Sequence, residues 1–112
     1  MSTTDDPTTD DATASTTTNL SDLTAFQRDC LYVIAGLGEP YGLEISDELE
    51  DYYESEVLHG RLYPNLDELA EIGFVEKGEF DDRKNSYEIT DAGETALQAR
   101  REWEDLYYGE DA

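Results

Sequence analysis

The 112-residue sequence predicts a mainly α-helical fold with one small β-hairpin. Apolar residues recur at helical spacing in four segments, and a polar loop between the third and fourth segments is flanked by β-branched and aromatic residues. The resulting order is helix, helix, helix, hairpin, helix. No apolar run approaches the length of a membrane span, so we expect a cytoplasmic protein with no membrane partner.

Residues 1–22 form a separate segment that consists mostly of Thr, Ser and Asp. Such a segment has too little apolar surface to offset the entropy of ordering the chain, so we expect a disordered acidic tail. The remaining folded part of about 85 residues is near the lower limit for an independent core, and association with a second copy would stabilise it.

The first predicted helix runs from Leu23 to Leu37. Ser21 or Asp22 is its expected N-cap, and Gly36 and Gly38 mark its end. Its apolar face has five members: Phe26, Cys30, Leu31, Ile34 and Leu37.

The second predicted helix starts after Pro40 and ends near Tyr52. Residues 44–56 hold seven carboxylates and no basic side chain, so the outer face of this helix is strongly negative. Its apolar stripe has four members: Tyr41, Ile45, Leu49 and Tyr52.

The third predicted helix lies in the stretch LHGRLYPNLDELAEIGF and ends at the stop signal Gly73. Gly60 and Pro64 face away from the apolar stripe, and Pro64 removes one helical hydrogen bond, which favours a bend. A loosely formed helix start is the alternative explanation for both residues. The apolar face has five members: Leu58, Leu62, Leu66, Leu69 and Ile72.

The stretch FVEKGEFDDRKNSYEIT predicts a hairpin with strands at residues 74–77 and 86–90 and a long polar tip. The fourth predicted helix runs from Thr90 or Asp91 to about Tyr107. Thr90 is its expected N-cap, with a capping box from Asp91 to Glu94 as the alternative.

The second and third helices are joined by a short turn, and a hairpin follows the third helix directly, which predicts a winged helix-turn-helix. Residues 23–90 would form the DNA-binding domain, and residues 91–108 would form a dimerisation helix. In that architecture the third helix enters the major groove of DNA and the tip of the wing lies against the backbone or the minor groove. Four of the seven basic residues lie on the third helix or the wing, where phosphates would be met. Pairing with neighbouring carboxylates is the alternative. The expected DNA contacts are His59, Gly60, Arg61, Tyr63, Pro64, Asn65, Lys77, Arg83 and Lys84.

The fourth helix carries apolar residues at alternating spacings of four and three, which is a heptad seam suited to a second copy of the chain. Packing of this helix on its own domain is the alternative. The expected residues of the homodimer interface are Ala92, Ala96, Ala99, Trp103, Leu106 and Tyr107.

The sequence has 29 acidic and 7 basic residues, a formal net charge of −22. Such a chain repels itself unless molar salt screens the charges, and the composition resembles that of cytoplasmic proteins of salt-accumulating archaea. An acidic protein of an ordinary cell is the alternative. We expect no organic cofactor and no specific metal site. K⁺ or Na⁺ ions are expected at the DNA interface, near Glu44, Asp47, Glu48 and Asp51.

The motif HGRLYPNLDELAEIGFVEK, followed by NSYEITDAGETAL, resembles the PadR-type winged-helix transcriptional regulators over about residues 24–107. The resemblance implies a dimeric DNA-binding regulator. With the acidic bias taken into account, the chain resembles a haloarchaeal member of the family that responds to reactive oxygen. This resemblance implies a role in the response to oxidative stress. The residues that match the family pattern are Gly60, Leu62, Tyr63, Pro64, Leu66, Gly73, Phe74, Val75, Tyr87, Ile89, Thr90 and Gly93, with Tyr41, Gly42 and Ile45 in the second helix.

Enzymatic activity is not expected, because a single Cys30 and a single His59 support neither a zinc site nor a nucleophile pair. Cys30 lies on an apolar face, so a core thiol is favoured over a redox sensor.

Two other functions stay open: an acidic protein-interaction adaptor that does not bind DNA, and a small-molecule sensor. The sensor's cleft would use Tyr32, Tyr41, Trp103 and Tyr107.

Overall fold

The computed structural model describes residues 19–79 and 84–109, and it confirms the predicted order of four helices and one hairpin. A short 3₁₀ turn at Leu20–Asp22 comes first. The remaining elements are α1 (Ala25–Leu37), α2 (Gly42–Tyr53), α3 (His59–Ile72), β1 (Val75–Glu79), β2 (Asn85–Ile89) and α4 (Asp91–Tyr108). No helix in these ranges is long and apolar enough to cross a bilayer.

The last four residues of the predicted tail belong to the fold, which corrects its boundary at residue 22. Leu20 is only 2% exposed, and Arg28 donates hydrogen bonds to the carbonyls of Leu20 and Leu23 at 3.1 and 2.9 Å. One apolar side chain was enough to bring the end of a polar segment into the core. The rest of the predicted tail lies outside the described residues.

The N-terminus of α1 differs from the prediction, whereas its C-terminus agrees with it. Thr24 is the N-cap, instead of Ser21 or Asp22: its hydroxyl accepts from the Gln27 amide at 3.1 Å, and the Gln27 side chain accepts from the Thr24 amide at 3.1 Å. This reciprocal pair is a capping box. Gly38 ends the helix with a φ of 95°, which favours glycine.

Three residues predicted on apolar helix faces are exposed instead: Leu37 at 45%, Tyr52 at 77% and Leu58 at 62%. Leu37 and Leu58 lie at helix ends, where the chain leaves the core, and Tyr53 takes the place predicted for Tyr52 by packing against the core. The buried core combines residues of all four helices and the hairpin: Leu20, Leu23, Phe26, Cys30, Leu31, Ile34, Ile45, Leu49, Val57, Leu62, Leu66, Leu69, Phe74, Val75, Tyr87, Ala96 and Leu97.

The hairpin pairs its strands antiparallel, with Val75 opposite Ile89 and Glu79 opposite Asn85. The start of α2 is attached to this hairpin. Tyr41 forms a β-bridge with Ser86, and the Tyr87 amide donates to the Pro40 carbonyl at 2.9 Å. This contact fixes the position of the wing relative to the helix pair.

Helix α4 begins at the predicted cap, because the Thr90 hydroxyl accepts from the Gly93 amide at 3.1 Å. The same hydroxyl donates to the Gly73 carbonyl at 2.6 Å and so joins α4 to the end of α3. A Cβ on Gly93 would lie 2.4 Å from the Phe74 carbonyl oxygen. Only glycine permits this approach of the helix to the backbone that precedes β1.

Candidate nucleic-acid interface

The first turn of α3 is exposed and lacks a side-chain cap. Its N-cap is Leu58, whose carbonyl accepts from the amides of Arg61 and Leu62 at 2.9 and 3.0 Å. Gly60 and Pro64 are both exposed, as predicted, and a Cβ on Gly60 would meet no atom within 4 Å. The turn therefore offers backbone N–H groups with little side-chain bulk around them.

Tyr63 joins the start of α3 to the start of α2. Its ring packs so closely that a Cβ on Gly42 would lie 2.5 Å from the Tyr63 hydroxyl oxygen. The His59 ring meets Tyr63 edge to face, with 5.6 Å between the ring centroids. Gly42 thus permits the Tyr63 ring to lie against the start of α2.

The start of α2, Tyr63 of α3 and the tip-side end of β2 border one cavity of about 340 Å³. The Lys84 ammonium, beside the wing tip, lies 5.2 Å from the centroid of the Tyr41 ring. We call His59, Gly60, Tyr63, Tyr41 and Lys84 the wing-side surface. The cavity is lined by Tyr41, Gly42, Leu43, Glu44, Tyr63, Lys84 and Asn85.

Besides Lys84, two further cations predicted to meet phosphate interact with the protein itself. The Arg61 guanidinium lies 4.0 Å from the centroid of the Phe26 ring, and Lys77 forms an ion pair with Asp67 at 3.0 Å. The sequence left open that these basic residues pair with neighbouring carboxylates, and Lys77 does so. Arg83 lies outside the described residues.

Asn65 is also engaged within the protein. Its side-chain amide donates to the Arg61 carbonyl at 2.7 Å and accepts from the Gln27 side chain at 2.9 Å. The oxygen of this amide connects α3 to α1, and its nitrogen bonds within α3. The sequence analysis did not single out Gln27, although the pattern Thr24-x-x-Gln27 is the signature of a capping box.

The acidic face of α2 is exposed at Asp47, Glu48 and Asp51. Glu44 is used locally, because its side chain accepts from the Tyr41 amide at 2.8 Å. Within residues 19–79 and 84–109, no three His, Cys, Asp or Glu side chains are grouped closely enough to hold a metal ion. A cation on this face would need further ligands from a partner such as DNA phosphate.

The predicted interface residues of α4 divide into two groups. Ala96 is 8% exposed and packs in the core of its own subunit. Ala92, Ala99, Trp103, Leu106 and Tyr107 are exposed. The exposed fractions of Trp103, Leu106 and Tyr107 are 51%, 69% and 70%, so the far half of α4 presents an uncovered apolar face.

Cys30 is a core thiol, as predicted. Its exposure is 0%, and burial, followed by the charge of Asp29, raises the pKa of the thiol to about 12. A thiol with such a pKa carries almost no thiolate at neutral pH, and the thiolate is the reactive form.

Comparison with known proteins agrees with this architecture. The profile of the transcriptional regulator PadR-like family matches residues 30–99. A structure of Halobacterium salinarum RosR grown from NaBr is 50% identical, covers 81% of this chain and 82% of RosR, and has a TM-score of 0.76. A RosR complex designated RosR-SG is 48% identical, covers 85% of this chain and 84% of that chain, and has a TM-score of 0.79.

A PadR-like transcription factor of Bacteroides fragilis shares the fold at 19% identity, with a TM-score of 0.62 over 72% of this chain and 82% of that one. A comparison with curated proteins gave no match. The family profile spans more than half of the 112 residues, and RosR is similar over most of both chains. The chain therefore belongs to the PadR-like family of transcriptional regulators and has its winged helix-turn-helix fold.

Proposed function

We propose that the protein binds specific sites on double-stranded DNA as a homodimer at high salt, and regulates transcription from them. The observation that carries the proposal is the wing-side surface, where the starts of α2 and α3 and the tip-side end of β2 border one cavity. In a winged helix-turn-helix these are the parts that meet the major groove and the flanking phosphates.

Base recognition falls to the first turn of α3. Gly60 allows close approach to the groove, and His59, Tyr63 and Pro64 border the approach. The free N–H groups of this turn suit a phosphate. The Arg61 guanidinium lies on the Phe26 ring and Lys77 pairs with Asp67, but both residues stay exposed. Asn65 is bonded to Gln27 and supports the turn from within the protein.

The exposed apolar face of α4 supports a homodimer. Trp103 and Tyr107 lie with their ring centroids 5.4 Å apart and, with Leu106, cover the outer half of the helix. Burial of apolar surface contributes roughly 25 cal/mol per Å². A two-fold dimer would present two α3 starts to half-sites about 34 Å apart, one turn of DNA.

Cations complete the DNA interface in this proposal. Most DNA-binding proteins lose affinity as salt rises because their Lys and Arg side chains release counterions from phosphate. Here the net charge is −22, and three of the interface cations are already paired with a carboxylate or stacked on a ring. K⁺ or Na⁺ between the carboxylates of Asp47, Glu48 and Asp51 and the phosphates would be taken up on binding.

The test is the affinity for a DNA duplex selected by the protein from a random-sequence pool, measured from low to molar KCl. We expect affinity to hold or rise with salt. The double variant Asp47→Asn/Asp51→Asn should shift the dependence towards the usual decline, whereas Glu102→Gln on the far helix α4 should leave it unchanged. A steep fall for the unmodified protein would exclude cation uptake, and a failure to select any duplex would favour the adaptor function.

The proposal extends to genes of the oxidative-stress response, which the family resemblance implies. The chemistry of Cys30 argues that its thiol is not the sensor, because burial keeps it protonated. Transcript levels after peroxide treatment, compared between strains with the intact gene, without it, and with Cys30→Ser, test both points. We expect the response to require the gene and to survive the Cys30→Ser substitution.

A further inference from the structure

The start of α3 would be poorly fixed by its own backbone. Pro64 lies inside the helix and has no N–H to donate to the Gly60 carbonyl, and the N-cap Leu58 provides no side-chain acceptor. Both features weaken the turn that is proposed to enter the groove. Other contacts must therefore hold this turn in one position.

Those contacts come from the first turn of α1. Gln27 is 5% exposed, and its side-chain nitrogen donates to Asn65 Oδ1 at 2.9 Å and to Glu68 Oε1 at 2.7 Å. Asn65 in turn donates to the Arg61 carbonyl at 2.7 Å, within the turn that Pro64 interrupts. Phe26, the neighbour of Gln27, carries the Arg61 guanidinium on its ring.

We infer that Gln27 is a positioning residue for DNA recognition, which fixes the proline-interrupted start of α3 through Asn65 and Glu68. The inference rests on the proposed function and names a residue outside the wing-side surface. Every hydrogen-bonding group of the Gln27 side chain has a use: the nitrogen holds α3, and the oxygen caps α1 by accepting from the Thr24 amide at 3.1 Å. A base-reading turn that is held rigidly loses less entropy when it binds.

The two uses of the Gln27 side chain can be separated by two substitutions of similar length. Gln27→Glu keeps an oxygen for the Thr24 amide but places a carboxylate against Asn65 Oδ1 and Glu68. If the Asn65 amide rotates to donate to this carboxylate, its bond to the Arg61 carbonyl is lost. Gln27→Lys has the opposite effect, since its ammonium can donate to Asn65 and Glu68 but cannot cap Thr24.

The first measurement is amide hydrogen exchange in the free protein, in molar KCl, with α4 as the internal reference. We expect Gln27→Glu to accelerate exchange in residues 60–66 by roughly ten-fold, through local opening of this turn. Gln27→Lys should leave exchange in these residues unchanged. The melting temperature of this variant should fall, because the cap of α1 is lost. Equal exchange in residues 60–66 for both variants would overturn the inference.

The second measurement is the ratio of affinities for the selected duplex and an unselected duplex of equal length, at one KCl concentration. The ratio cancels the general effect of the added or removed charge. We expect Gln27→Glu to lower it roughly ten-fold, the scale of one good base contact, and Gln27→Lys to retain it. Thr24→Ala, which removes only the cap hydroxyl, should also retain it.

A Gln27→Lys variant that loses as much preference as Gln27→Glu would show that donation to Asn65 and Glu68 does not decide the preference, and the inference would be wrong. An unmodified protein that prefers no duplex would instead refute the proposed function. In that case the exchange measurement would still decide whether Gln27 fixes the start of α3.

Discussion

Single glycines at the starts of α2 and α3 serve different purposes. Gly42 is required inside the protein, since a Cβ there would collide with the Tyr63 ring at 2.5 Å. Gly60 has open space around its Cα, so nothing in the free protein requires a glycine. If Gly60 lies against the groove, as we propose, its glycine matters in the complex and not in the free protein.

Gly60→Ala should therefore stabilise the free protein and weaken DNA binding. The substitution lowers the entropy of the unfolded chain, which contributes about 0.5–1 kcal/mol of folding stability. The added methyl group holds the backbone away from the groove. Urea unfolding and DNA affinity in molar KCl measure the two effects, and Gln98→Ala on the exposed side of α4 is the control. An unchanged affinity would remove Gly60 from the interface.

The Cys30 thiol should not react with a water-soluble thiol reagent at neutral pH until the protein unfolds. Labelling of the folded protein at the rate of the denatured protein would contradict its buried position.

Alkaline pH should destabilise the protein through the same group. The ordinary pKa of this thiol is 9.0, and burial raises it to about 12 in the folded state. Between these values the unfolded chain loses the proton and the folded chain keeps it, so stability falls as pH rises through this range. Unfolding measurements on the protein and on Cys30→Ala should show a smaller alkaline loss in the variant. Equal losses would assign the effect to other groups such as Tyr87, whose pKa burial also raises to about 12.

At the scale of secondary structure, the turn between α2 and α3 contains a strained residue. Glu54 ends α2 in the left-handed region, with a φ of 57°, and it is the one non-glycine residue with positive φ in the described ranges. A side chain in this conformation costs roughly 1–2 kcal/mol, and a carboxylate at a helix C-terminus is also unfavourable. The turn between α2 and α3 is therefore less stable than it would be with a glycine at position 54.

Glu54→Gly should stabilise the protein by about 1 kcal/mol, because glycine adopts this conformation without a Cβ penalty. The matched control is Glu56→Gly, which removes the same charge nearby at a position without positive φ and should give no gain. Thermal melting at fixed KCl measures both variants. A similar gain in both would attribute the effect to charge, and no gain in Glu54→Gly would contradict the strain.

At the scale of the whole molecule, the chain is a small domain with an apolar extension. The far half of α4 exposes Trp103, Leu106 and Tyr107, whereas Ala96 and Leu97 at its near half complete the core. A cavity of about 360 Å³ lies between α4 and the Leu20–Asp22 turn, bordered by Ala99 and Trp103. This face is the surface that we expect a second copy to cover.

Trp103→Ala should convert the homodimer towards monomers in molar KCl, since it removes the largest side chain of that face. Tyr52→Ala is the control, because Tyr52 is also an exposed aromatic residue, at 77%, but lies on α2. Sedimentation equilibrium over a range of protein concentrations measures the association. Monomers of the unmodified protein at all concentrations would refute the dimer.

The sequence alone determined the order of elements, most of the core and the family. Helical spacing predicted the buried positions Leu62, Leu66 and Leu69, and the stop at Gly73 follows from the φ of 98° that it adopts. These features depend on local periodicity and on backbone preference, which act between residues close together in the chain.

Tertiary structure decided which of the predicted DNA contacts also have partners within the protein. The partners of Arg61, Asn65 and Lys77 are Phe26, Gln27 and Asp67, which lie 35, 38 and 10 positions away in the sequence. No periodic pattern reports such pairs, because they depend on how α1 and β1 pack against α3. Gln27 matched a capping pattern, but only the packing of α1 on α3 gave it a second role.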